Sequence, residues 1–149
     1  MKIEISEPLC YSAIGMKPNQ EDALFPRKGS ATKDTHVFLV CDGMGGHENG
    51  EVASTCVADT IGRETACLPL CTTGEMQGAF EDALAKAYQN LDELDTSESE
   101  RKMGTTLTFL ALCTDGVLVA HIGDSRVYQL RPGKGIIFQT RDTRWSVTS

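Results

Sequence analysis

The order of hydrophobic periods along the chain predicts an α+β domain. Strand-like runs come first, two amphipathic helical stretches follow with no strand between them, and strand-like runs return near Thr105. Repeated βαβ units would alternate more regularly, so helices layered on antiparallel strands are expected. With 149 residues, 40% of them hydrophobic and 23% charged, the chain has the balance of one ordinary globular domain.

Each element has its own signal. KIEIS at the N-terminus shows a period of two, and HVFLV (residues 36–40) is a continuous apolar run suited to a strand covered on both faces. EVASTCVADTIGRE (51–64) places Val52, Ala53, Cys56, Val57, Thr60 and Ile61 on one side at helical spacing. Thr72 with Glu75 forms a capping box that opens a second helix, whose apolar stripe runs through Phe80, Leu84, Ala87, Tyr88, Leu91 and Leu94. The polar stretch DTSESERK ends it. TTLTFLALC and VLVAHIGD flank Thr114-Asp115-Gly116 and should pair antiparallel. RVYQL and IIFQT make a second hairpin around Arg131–Gly135. DTRWSVTS fits no element, so the domain is drawn over residues 1–142, with 143–149 as an unpatterned tail.

The net charge of -7 comes without a lysine or arginine run. Such a surface repels a nucleic-acid backbone, while its acidic sites suit cations. No apolar stretch has the length of a signal peptide or membrane span, so a cytoplasmic location with no membrane partner is expected. Without a secretion signal, the cysteines at 10, 41, 56, 67, 71 and 113 read as reduced and mostly buried thiols, with Cys67 and Cys71 as loop and helix-end residues.

Three acidic stretches carry candidate chemistry. In CDGMGG, Asp42 leaves an apolar strand and is followed by glycines that free the backbone carbonyls to turn. Asp42 with the Gly43 carbonyl suits a hard cation such as Mg2+ or Mn2+. The same stretch also reads as a glycine-rich turn whose Asp accepts local N–H groups. In KPNQED, Glu21 and Asp22 repel each other unless a positive group lies close, or they point opposite ways along a strand. In GDSR, Asp124 ends another apolar run and reads as a third acid or as a partner of Arg126.

The succession KPNQED, VFLVCDGMGGHENGEVAS, GTTLTFLAL and VAHIGDSRVYQL closely resembles the metal-dependent serine/threonine protein phosphatases of type 2C, in their bacterial form, over about residues 10 to 142. The resemblance implies a sandwich of two antiparallel sheets flanked by helix pairs. It also implies two Mn2+ or Mg2+ ions, with a weaker third, that activate water against phosphoserine or phosphothreonine in proteins phosphorylated by an opposing kinase. By the same resemblance Asp42 bridges the ions and Gly43 adds its carbonyl. Glu21 supports the second ion with Asp22 beside it, and Asp124 serves the third. Lys17 stands where the family usually has an arginine that clamps the phosphate, and it keeps the charge but not the fork. Met44 stands where some members have a histidine.

The family's two further metal-binding aspartates belong to motifs absent from these 149 residues. The chain is therefore expected to be an N-terminal portion, inactive or weak alone, or a non-catalytic module that binds metal or phosphoprotein. Thr143-Arg144-Trp145-Ser146 is also what a one-base deletion would make of a reading frame for His-Ser-Leu-Val, the kind of sequence family members have there.

Overall fold

The computed structural model describes residues 3–44, 49–95 and 103–148. Its elements are β1 (Asp22–Phe25), β2 (Val37–Met44), α1 (Asn49–Ala66), α2 (Thr73–Leu94), β3 (Gly104–Thr105), β4 (Leu107–Leu112), β5 (Val117–Gly123), β6 (Tyr128–Arg131), β7 (Gly135–Gln139) and β8 (Thr143–Thr148). Five strands lie in the order β1-β2-β4-β5-β8, with β3 also paired to β2, and β6 and β7 form a separate two-stranded sheet. Every described pairing is antiparallel. The α+β reading and both hairpins therefore hold, in the arrangement of half a sandwich.

The large sheet has two unlike faces. Val37, Leu39 and Cys41 on β2, Leu107, Phe109 and Ala111 on β4, and Leu118 and Ala120 on β5 are buried with Val57, Ala58 and Ile61 of α1 and Met76, Phe80, Ala83 and Ala87 of α2. Phe80 and Phe109 anchor this core, their ring centroids 4.7 Å apart. Alternation sends Phe38, Val40 and Asp42 to the opposite face. That face is only partly covered: Val40 is 45% exposed. The β6–β7 hairpin lies over part of it, leaving a groove of about 250 Å³ between Leu110, Leu112 and Val119 on one side and Val127, Tyr128 and Phe138 on the other. HVFLV is thus a strand covered on one face, against the two-sided burial expected.

Helix α1 turns a different side inward than its apolar spacing suggests. Ala53, Val57 and Ile61 are buried as expected, but Gly50, Ser54, Ala58, Gly62 and Thr65 join them, while Val52 is 39% exposed and Cys56 and Thr60 are half-buried. The reason is backbone proximity: a Cβ on Gly62 would stand 2.3 Å from the Phe25 ring of β1, so only small residues fit the contact side. Buried Thr65 is satisfied locally, donating to the Ile61 carbonyl at 2.7 Å.

Helix α2 begins with the expected capping box, Thr72 accepting from the Glu75 N–H and Glu75 accepting from that of Thr72. The β4–β5 turn reinforces it: Asp115 accepts from the Thr73 N–H at 2.7 Å and from its hydroxyl at 3.1 Å. These bonds, the backbone one first, hold the Asp115 carboxyl below its usual range. Along the stripe Tyr88 and Leu94 are exposed, 56% and 49%, although Ala87 is buried and Leu91 packs against the core. The stretch expected to end the helix begins at its C-cap, Asp95, and continues into residues 96–102, outside the described residues.

Three other expectations are corrected. Residues 3–20 hold no strand, because alternation supplies a face but not the backbone partners that a strand requires. Residues 143–148, which fit no element by pattern, form β8 along the edge of β5, with Thr143 opposite Gly123 and Thr148 opposite Val119. The cysteines are free, but only Cys41 and Cys113 are buried; Cys56 and Cys71 are half-buried, and Cys10 and Cys67 are exposed.

Candidate metal centre

The β1–β2 ladder brings two of the acids together. Its register places Asp22 opposite Asp42, on the face turned away from the helices. Burial first, then the Asp42 carboxylate and a hydrogen bond shared with it, push the Asp22 carboxyl above its usual range, against the pull of nearby Lys17. Strand β2 runs two residues beyond Asp42, since Gly43 and Met44 pair with β3. The remaining glycines of CDGMGG, with His47 and Glu48, lie outside the described residues.

Glu21, in the loop before β1, lies beside Gly43. Its carbonyl accepts from the Gly43 N–H at 3.0 Å. A Cβ on Gly43 would fall 2.0 Å from the Gly50 carbonyl oxygen, and one on Gly50 would fall 3.1 Å from the Glu21 carboxyl carbon. Two glycines in contact thus let the start of α1 close on β2 and seat the Glu21 carboxylate against the first turn of the helix, where the helix dipole favours an anion. Lys17 ends 3.8 Å from Glu21 and is largely exposed.

Asp124 follows the end of β5, is exposed, and joins no metal-binding cluster among the described residues. Arg126 does not pair with it but with Asp142, at 2.9 Å. The link to Asp42 runs through neighbours: the Asp42 N–H donates to Thr106 Oγ1 at 3.0 Å, and that oxygen lies 2.6 Å from Ser125 Oγ. Thr106 was missed by reading the sequence, as was Gly50; GTT gives no local sign of a buried hydroxyl. His36 and His121 lie beside and within strands, each with one buried ring nitrogen lacking a partner. Burial pushes His121 below the usual histidine range.

The facing carboxylates of Asp22 and Asp42 suit a hard divalent cation, which would offset the charge they bring together, while Glu21 sits beside the glycine cradle and no three acids gather as one cluster among the described residues. The protein phosphatase 2C family matches residues 11–144. The chain belongs to that family. The protein phosphatase PhpP of Streptococcus pneumoniae is 35% identical over 95 residues, covering 64% of this chain and 39% of PhpP. Among solved structures, PppA of Pseudomonas aeruginosa is 32% identical with a TM-score of 0.69, covering 89% of this chain and 54% of that one. The catalytic domain of the serine/threonine phosphatase PstP, solved with two manganese ions, is 26% identical with a TM-score of 0.59, covering 91% of this chain and 53% of that domain. The chain thus spans about half the length of these relatives, or less.

Proposed function

We propose that this chain contributes Glu21, Asp22, Asp42 and the Gly43 carbonyl to a two-cation site for hydrolysing phosphoserine and phosphothreonine in proteins, with Asp124 at a weaker third position. The observation that carries the reading is the facing pair Asp22 and Asp42 at the glycine cradle. Mn2+ or Mg2+ bound there would act as a Lewis acid and lower the pKa of water. The chain's own residues hold and orient: the β1–β2 ladder fixes two carboxylates, the start of α1 seats a third, and exposed Lys17 offers a positive charge to an incoming phosphate. Substrates on this reading are cytoplasmic phosphoproteins, opposing a serine/threonine kinase.

One observation favours a second reading, a module that binds cations or phosphoproteins without turnover: among the described residues no three His, Cys, Asp or Glu side chains gather as a metal cluster. Mn2+ binding and p-nitrophenyl phosphate hydrolysis, measured on the chain alone and joined to the second half that its relatives have, separate the two. Mn2+-dependent turnover of the joined protein that disappears in Asp42→Asn supports the phosphatase, whereas Mn2+ binding without turnover in the joined protein supports the module. A joined protein that does neither refutes both.

A further inference from the structure

Gly43 pairs with Thr105 and Val40 with Thr108, so one continuous register sets Thr106 opposite Asp42. Half of the exchange expected of such a pair is present, the Thr106 N–H donating to the Asp42 carbonyl at 2.9 Å. The other half is replaced: the Asp42 N–H goes to the Thr106 hydroxyl at 3.0 Å instead of the Thr106 carbonyl. That carbonyl accepts from the Thr105 hydroxyl at 2.8 Å. Thr106 is 3% exposed, and its hydroxyl also meets Ser125 at 2.6 Å. Its methyl group lies beneath Gly123, which has φ +96° and where a Cβ would come within 3.0 Å.

From this geometry we infer that Thr106 is a positioning residue: its hydroxyl replaces a ladder carbonyl at Asp42 and ties that acid to the Gly123–Ser125 loop that carries Asp124. Because Thr106 Oγ1 accepts from Asp42, its own proton is free for Ser125, so one buried hydroxyl registers two chain segments. A side chain without the hydroxyl would let the Asp42 N–H return to the Thr106 carbonyl, turning the strand at the acid and releasing the loop.

The cation arm of this inference rests on the phosphatase reading; the tie itself does not. Mn2+ binding followed by electron paramagnetic resonance should weaken about tenfold in Thr106→Val, as expected when a group that orients a ligand is lost. Thr106→Ser should stay within about threefold of the unaltered chain and Ser125→Ala should fall between, since each keeps the hydroxyl that Asp42 uses. The Asp42 amide resonance should move in Thr106→Val and hold in Thr106→Ser. Unchanged Mn2+ binding in Thr106→Val, or equal losses in the Ser and Val variants, overturns the positioning role and leaves the phosphatase reading intact. If the unaltered chain binds no Mn2+, the cation reading falls instead. The amide resonance then judges the tie alone, and an unmoved signal in Thr106→Val overturns it.

Discussion

Asp22 and Asp42 face each other across the β1–β2 ladder, with no ion pair to either among the described residues. A folded chain free of divalent ions keeps Asp22 partly buried and beside Asp42, and both effects, burial first, push its carboxyl up and cost stability once it is charged. A raised carboxyl contributes stability that is fully present below the ordinary Asp range and is lost as pH rises through the folded value.

In the presence of a chelator, Asp22→Asn should therefore raise stability at neutral pH, by up to about 1 kcal/mol given the solvent exposure of the site. It should also flatten the decline in stability between acid and neutral pH. Added Mn2+ should reverse the ranking, raising the melting temperature of the unaltered chain more than that of the variant. Urea melts with and without Mn2+ measure both effects; a variant less stable than the parent in chelator would contradict the repulsion.

Two glycine substitutions should separate the cradle from the helix contact. Gly43→Ala meets backbone at Gly50, which cannot swing aside, so the start of α1 must leave β2 and carry the Glu21 seat with it. A loss of about 3 kcal/mol or more is expected, with loss of Mn2+ binding. Gly62→Ala meets Phe25 at Cγ, which rotation of the ring does not move, so the whole side chain or β1 must shift while the added Cβ brings helix propensity; a loss of about 1–3 kcal/mol with Mn2+ binding retained is expected. Denaturant unfolding with parallel Mn2+ titrations decides, and similar effects from the two would count against a cradle special to Gly43.

The thiols should divide by burial. Burial pushes Cys41 up to about 12 and Cys113 up to about 11, so neither offers thiolate at neutral pH. A colorimetric thiol reagent should label exposed Cys10 and Cys67 within minutes on the folded chain and reach Cys41 and Cys113 only on unfolding. Rapid labelling of Cys41 in the folded state would mean that β2 does not pack as described.

Local chemistry was legible wherever a short stretch of residues carries it. Thr72 and Glu75 cap α2 from within one helical turn, and Thr114-Asp115-Gly116 turns β4 into β5; each is settled by residues a few positions apart. Glu21, Asp22, Asp42 and Gly43 were singled out as candidates by motif chemistry and family resemblance, although the sequence did not show that β1 would set Asp22 opposite Asp42.

What stayed hidden depends on residues distant along the chain. The inward face of α1 follows from where its backbone nears Phe25 and Gly43, which favours small residues over the apolar Val52. Strand β8 exists because the β5 edge offers backbone partners, and backbone hydrogen bonding requires no side-chain pattern. The role inferred for Thr106 needs a residue 64 positions away, brought opposite by register. Sequence alone determined the element types, the caps and turns, the acidic inventory and the family resemblance, because these are written in near neighbours. Tertiary structure decided the faces, the added strand and the partner of the Asp42 N–H, because close backbone approach and hydrogen-bond pairing arise only when distant segments meet.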